Sequence, residues 1–66
     1  MKVVIEIRST DEHGLRFTKH TATNEIKVEG LYQDEEGKLH EAGFDGVFEK
    51  EELARALAML QSNYGL

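Results

Sequence analysis

Asp11-Glu12-His13-Gly14 and Asp34-Glu35-Glu36-Gly37 carry one pattern, Asp-Glu-x-Gly, and each lies between two segments of alternating apolar and polar residues. Acidic residues followed by glycine are typical of tight turns, where glycine takes the positive φ that other residues avoid. Both stretches therefore predict four-residue hairpin loops, with Gly14 and Gly37 at the positive-φ positions. Two such loops divide most of the chain into two β-hairpins.

The segments that flank these loops predict four strands. Val3, Ile5 and Ile7 alternate with other residues in the period of two that is typical of a strand. We expect strands over residues 2–8, 15–21, 25–32 and 38–43. Because short connections join neighbouring antiparallel strands, these segments predict a four-stranded antiparallel meander.

The C-terminal part of the chain predicts one α-helix from about Glu49. Apolar residues recur there at helical spacing: Leu53, Leu57, Leu60 and Tyr64. Glu51 and Glu52 complement the positive end of the helix dipole, and Gly65 fits the left-handed position just beyond the helix. The expected fold class is α+β in the order ββββα, a single domain over residues 1–66, with the helix packed on one face of the sheet.

The expected sheet is wider than the helix that should cover it. Four strands about 4.8 Å apart span roughly 19 Å, whereas a helix with its side chains is about 10 Å wide. Covering the remaining strip requires a curled sheet, the segment 40–48 or a second subunit, and a homodimer is expected. The opposite face, with Val4 and Leu31 among mostly charged residues, is expected to face water.

The net charge of −5 lies entirely in the second half of the chain. Residues 1–33 carry five basic and five acidic side chains, whereas residues 34–66 carry three basic and eight acidic ones. A negative chain repels nucleic-acid phosphates at long range, so the charge disfavours nucleic acid as a partner. It favours a protein partner with a basic surface.

The composition also bears on the cellular compartment. The absence of cysteine excludes disulfides and thiolate zinc sites. No signal peptide is expected, since Glu6 interrupts the apolar residues 3–5, and no apolar stretch approaches the length of a membrane span. These features predict a cytoplasmic protein without a membrane partner.

The residue pattern predicts neither catalysis, nor a cofactor, nor a metal site. His13, His20 and His40 are not spaced as metal-ligand pairs, and no serine has a recognisable base beside it. The stretch 34–36 lacks the alternating oxygen ligands of a calcium loop. A non-enzymatic protein is therefore expected.

From the second strand onward, the order of elements resembles the positive cofactor four family of transcriptional coactivators. The resemblance lies in turn and helix-start residues: Tyr32, Asp34-Glu35-Glu36-Gly37-Lys38-Leu39, Gly46-Val47-Phe48 and Glu51-Glu52-Leu53. It covers about half of the chain and implies four strands followed by one helix, a homodimer and binding of single-stranded DNA. Where that family has lysines around the last glycine, this chain has Glu41, Phe44 and Asp45, a departure from the DNA-binding pattern.

These observations lead to two functional hypotheses, in order of preference. The first is a small acidic regulator or inhibitor that docks on a basic surface of another macromolecule. Its partner-binding residues would be the acidic side chains of the second loop and the helix start: Asp34, Glu35, Glu36, Glu49, Glu51 and Glu52. The alternative is a homodimer that binds single-stranded nucleic acid on the open sheet face. The basic residues expected there are Arg8, Arg16, Lys19 and Lys27.

Overall fold

The computed structural model describes residues 1–63, which form one four-stranded sheet followed by one helix. The strands are β1 (Lys2–Arg8), β2 (His13–His20), β3 (Glu25–Gln33) and β4 (Leu39–Glu49), and the helix is α1 (Lys50–Asn63). The strand order in the sheet is β1-β2-β3-β4, and each neighbouring pair is antiparallel. The predicted ββββα meander is confirmed. Tyr64, Gly65 and Leu66, for which a helix end was predicted, lie outside the described residues.

The two loops differ in the residue that takes the positive φ. Gly37 has a φ of 83°, as predicted for the second loop. In the first loop the prediction is wrong: Glu12 has a φ of 71°, and Gly14 lies within β2, paired with Arg8 and Leu31. Gly14 is needed there because a Cβ atom would lie 2.8 Å from the Ile7 carbonyl oxygen of the neighbouring strand.

β4 is longer than predicted and contains an irregularity. It runs to Glu49, so the segment 40–48 extends the sheet instead of folding over it as a cover. Its pairing with β3 shifts register between Glu29 and Leu31, near Gly43, whose φ is 83°. Such a bulge bends a strand and increases its twist.

The two faces of the sheet follow from the register, because residues paired across antiparallel strands point to the same side. The apolar face carries the alternating aliphatic and aromatic residues of all four strands. Its exposed members are Val3, Ile5, Ile7, Tyr32, Phe44 and Phe48, and its half-buried members are Leu15, Phe17 and Ile26. The charged face carries Glu6, Arg8, Arg16, Lys27, Glu29 and Glu41.

The buried core is small and does not follow the prediction. Val28 on the apolar face is 7% exposed and Leu31 on the charged face is 1% exposed, and they are the buried hydrophobic residues of the described chain. Leu31 was expected to face water. It is buried because Gly14 beside it has no side chain and Leu39 reaches across that gap.

The helix does not cover the sheet, so the predicted packing on one face is wrong. Leu57 and Leu60 of the expected inward stripe are 60% and 55% exposed, and the main contact of α1 is with β4. Lys50 follows Glu49 directly, so no loop residues are available to turn the helix back across the strands. The radius of gyration is accordingly 13.4 Å, against about 11 Å for a compact domain of this length.

Glu51 and Glu52 occupy the first turn of α1, where they complement the helix dipole as predicted. The Lys50 backbone N–H donates to the Asn24 carbonyl and attaches the helix start to the link between β2 and β3. Within residues 1–63, α1 is too short and too polar to cross a bilayer, and no other helix is present there.

Candidate interaction surfaces

The two acidic loops meet at one end of the sheet, which we call the loop end and define by Asp11, Glu12, Asp34, Glu35 and Glu36. A meander places alternate connections at the same end of its sheet. Here the Gln33 backbone N–H donates to the Glu12 carbonyl at 2.8 Å, which joins the first loop to the end of β3, directly before the second loop. Arg8 adds a second link, since its guanidinium donates to the Gly37 carbonyl at 3.2 Å. An open depression lies between the loops, lined by Glu12, Gln33, Asp34, Glu35 and Glu36.

Asp34 holds the second loop together from inside. Its Oδ1 accepts the backbone N–H groups of Glu36 and Lys38, both at 2.9 Å, and its Oδ2 lies 2.7 Å from His40 Nε2. The His40 ring in turn stacks on Tyr32, with 5.2 Å between ring centroids. The hydrogen bond from His40, followed by that from the Lys38 backbone, lowers the pKa of Asp34 below its ordinary value of 3.8. Both carboxylate oxygens are therefore already engaged within the chain.

The lowered pKa of Asp34 predicts a pH dependence of stability. The folded state binds this proton less readily than the unfolded state, so the stabilisation is complete above the ordinary value of 3.8 and is lost as the pH falls through the lowered pKa. Asp34→Asn keeps an acceptor for the loop but has no charge to lose. Its urea midpoint should therefore fall less than that of the wild type between about pH 6 and about pH 2.5. The exposed neighbour Glu35→Gln should keep the wild-type profile, and equal losses in wild type and Asp34→Asn would contradict the prediction.

Three other carboxylates at the loop end remain available to a partner. Asp11 is engaged locally, since hydrogen bonds from Ser9 and His13 lower its pKa. Glu12, Glu35 and Glu36 are exposed, and none forms an ion pair with another of residues 1–63. Sequence reasoning missed Glu12 as a partner-binding candidate. The repeated Asp-Glu-x-Gly pattern together with the meander order was the signal that could have placed it beside Glu35.

The acidic residues of the helix start lie on a different part of the molecule. Glu49 ends β4 and Glu51 and Glu52 begin α1, at the opposite end of the sheet from the loop end. The ten residues 39–48 of β4 separate the two groups, which corresponds to about 30 Å. Glu52 also pairs with Arg55 at 3.2 Å. The structure therefore does not bring the six predicted partner-binding carboxylates into one surface.

The four predicted basic residues are likewise divided. Arg16 lies among three carboxylates, at 2.8 Å from Glu6, 3.6 Å from Glu29 and 3.5 Å from Glu41, and the hydrogen bond to Glu6 raises its pKa. Lys27 lies 4.0 Å from Glu29.

Arg8 points to the loop end, as described above, and Lys19 lies on the apolar face, paired with Val3 and Ile26. These four cations therefore do not form one surface for phosphates. The carboxylates that pair with Arg16 and Lys27 would also have to be displaced before these two cations could bind phosphates.

His20 is far from the other two histidines, which lie on either side of Tyr32 in the sheet. His13 and His40 lie toward the loop end, whereas His20 is at the other end of β2. In the part of the chain that the structure describes, no three histidine, aspartate or glutamate side chains gather into a site that could hold a metal ion.

The apolar face of the sheet is exposed to solvent in the part of the chain that the structure describes. Val3, Ile5 and Ile7 line one edge strand, and Phe44 and Phe48 line the other. All five are exposed, and no carboxylate occupies a paired position on this face among residues 1–63. Large exposed apolar patches are typical of surfaces that interact with other molecules.

The sequence matches no protein-family model, and neither a curated protein nor a solved structure matches it significantly.

Proposed function

We propose that the chain is a small acidic, non-enzymatic interaction protein, a regulator or inhibitor that docks through its loop end on a basic surface of another macromolecule. The observation that carries this proposal is the meeting of the two Asp-Glu-x-Gly loops. They come from different hairpins, yet they present Glu12, Glu35 and Glu36 side by side and exposed.

The loop backbone supports docking because it is already ordered. Asp34 accepts two backbone N–H groups of its own loop, and the Gln33–Glu12 hydrogen bond holds the first loop against the end of β3, where the second loop begins. A partner would therefore not have to order the backbone in order to contact the carboxylates. Preorganisation of this kind lowers the entropic cost of association.

The charge distribution supports a basic partner. Clustered surface charge steers association with an oppositely charged surface and sets which partners are rejected. The cations nearest the loop end, Arg8 and Lys38, are outnumbered by its five carboxylates, and neither cation forms an ion pair with them among residues 1–63. Arg16 is held by carboxylates of the charged face. The glutamates at the loop end are thus left to contact another molecule.

A defined basic probe tests this proposal. We expect the double variant E35Q/E36Q to bind a fluorescent decalysine peptide about fivefold more weakly than the wild type at low salt, because two exposed ion pairs are lost. Its affinity should also depend less steeply on salt concentration. The matched control is E51Q/E52Q, which removes the same charge from the helix start at the other end of the sheet.

The control is expected to keep most of the wild-type affinity for the peptide. Equal losses in both double variants would mean that only net charge matters, and the assignment to the loop end would then be wrong. Unchanged affinity in E35Q/E36Q would have the same consequence.

A further inference from the structure

The single chain exposes more accessible surface than is typical of a monomeric protein of its mass. Its accessible area is 5346 Å², whereas a monomeric protein of 7.5 kDa exposes about 4,200 Å². The excess of roughly 1,100 Å² exceeds the area of about 800 Å² that each partner buries in a stable interface of standard size. We call Leu53, Leu57 and Leu60 the leucine stripe of α1. Much of the exposed apolar surface lies on the apolar face and on Leu57 and Leu60 of this stripe.

The buried core of the single chain is too small to hold the fold. Val28 and Leu31 are its buried hydrophobic residues in the described range. Ordering each residue costs about 1–2 kcal/mol of conformational entropy, and burial of apolar surface must offset that cost. Small domains without disulfides or metals commonly obtain this burial by oligomerising. The apolar face therefore has to be covered whenever the chain is folded, whether or not an outside partner is present.

We propose that a second copy of this chain covers the apolar face, with the leucine stripe of α1 included in the same buried surface. A second copy is the one partner present wherever the chain folds. The charges favour it too, because a chain of net charge −5 has no carboxylate at the paired positions of this face, so two faces meet without acidic repulsion. An apolar sheet face is self-complementary, as an isologous two-fold interface requires.

A basic partner surface does not fit the apolar face, because this face offers it no acidic group. Lys19 is a cation on this face, near its edge, where it can remain in water. The dimer would leave the loop end of each copy at its rim, so this inference concerns a different surface from the docking proposal and stands or falls separately.

Sedimentation equilibrium of the full chain tests the dimer. The wild type is expected at twice the chain mass of 7.5 kDa. Ile5→Lys on β1 and Phe44→Glu on β4 place a charge on the apolar face, from opposite edges of the sheet, and each should weaken the dimer at least about 100-fold. The matched controls are Val4→Lys and Val47→Glu, on the same strands but on the charged face. Their side chains are similarly exposed, at 47% and 60% against 55% and 58%, and both controls should remain dimeric.

Any other pattern of sedimentation results overturns the proposal. A monomeric wild type would do so directly. Loss of the dimer in Ile5→Lys but not in Phe44→Glu would assign the contact to the β1 edge, and dissociation of the two controls as well would remove the distinction between the faces. Wild-type mass in both test variants would exclude the apolar face.

Two further measurements keep the test decisive if a variant does not fold. The thermal midpoint of the wild type should rise with protein concentration, because a folded dimer unfolds to two chains. A midpoint that is independent of concentration would overturn the proposal. On the helix, Leu57→Lys should weaken the dimer and Met59→Lys, which lies off the leucine stripe, should not. The reverse order would exclude the stripe from the interface.

Discussion

Leu31→Ala is expected to destabilise the protein by about 2–4 kcal/mol, because it removes most of a fully buried side chain and leaves a cavity. Leu31 is 1% exposed and is the largest fully buried side chain of the described residues. It lies on the charged face, where Gly14 and Leu39 enclose it. The loss should appear as a lower urea midpoint at a fixed protein concentration, with an unchanged slope.

Val47→Ala is the control for this prediction. Val47 lies on the same face of the sheet and is 60% exposed, so its truncation should cost less than about 1 kcal/mol. If the two variants lost similar stability, Leu31 would not be the buried centre of the charged face.

Gly14→Ala is expected to cost about 1–3 kcal/mol, because the added methyl group overlaps the backbone of the neighbouring strand. A Cβ atom on Gly14 would lie 2.8 Å from the Ile7 carbonyl oxygen and 3.3 Å from Leu39 Cδ2. The carbonyl belongs to β1, which cannot move away without weakening its pairing with β2. Chemical denaturation at fixed concentration measures this loss, and hydrogen exchange should report faster opening of β1.

Gly30→Ala is the matched control for Gly14→Ala. Its added Cβ atom would meet the Phe44 side chain at 3.2 Å, a contact that a small rotation of this side chain can relieve, whereas the Ile7 carbonyl oxygen near Gly14 belongs to the backbone. The cost should therefore be clearly smaller than at Gly14. An equal or larger loss at Gly30 would show that close approach to the β1 backbone is not what requires a glycine at position 14.

The sequence predicted the elements and their order well because these depend on local patterns. Alternation in residues 2–8 identifies a strand wherever that strand packs, and the helical spacing of Leu53, Leu57 and Leu60 identifies a helix. The positive φ of Gly37 was also predictable, since the loop around it is closed by its own residues. The first loop has the same pattern, yet there Glu12 takes the positive φ and Gly14 lies in the strand, because of a contact with β1.

The candidate site was predictable only in part. The second loop was identified as acidic and exposed, and Glu35 and Glu36 fit that expectation. The helix start, which was grouped with this loop, lies at the opposite end of the sheet. Charge counted along a sequence does not reveal which end of a strand each residue occupies. The addition of Glu12 depends on the Gln33–Glu12 hydrogen bond between hairpins, which is a tertiary contact.

The sequence by itself determined where strands, loops and helix lie along the chain, because propensity, alternation and turn chemistry act over a few neighbouring residues. The tertiary structure decided which side of the sheet buries Leu31, where the helix points after Glu49, and which acidic residues share one end of the sheet. Alternation of apolar and polar residues indicates which residues share a face of the sheet, but it does not indicate what covers that face. Whether a face is covered depends on contacts between segments that are distant in the sequence. Here α1 begins directly after β4 without a loop, and the apolar face of the sheet stays exposed.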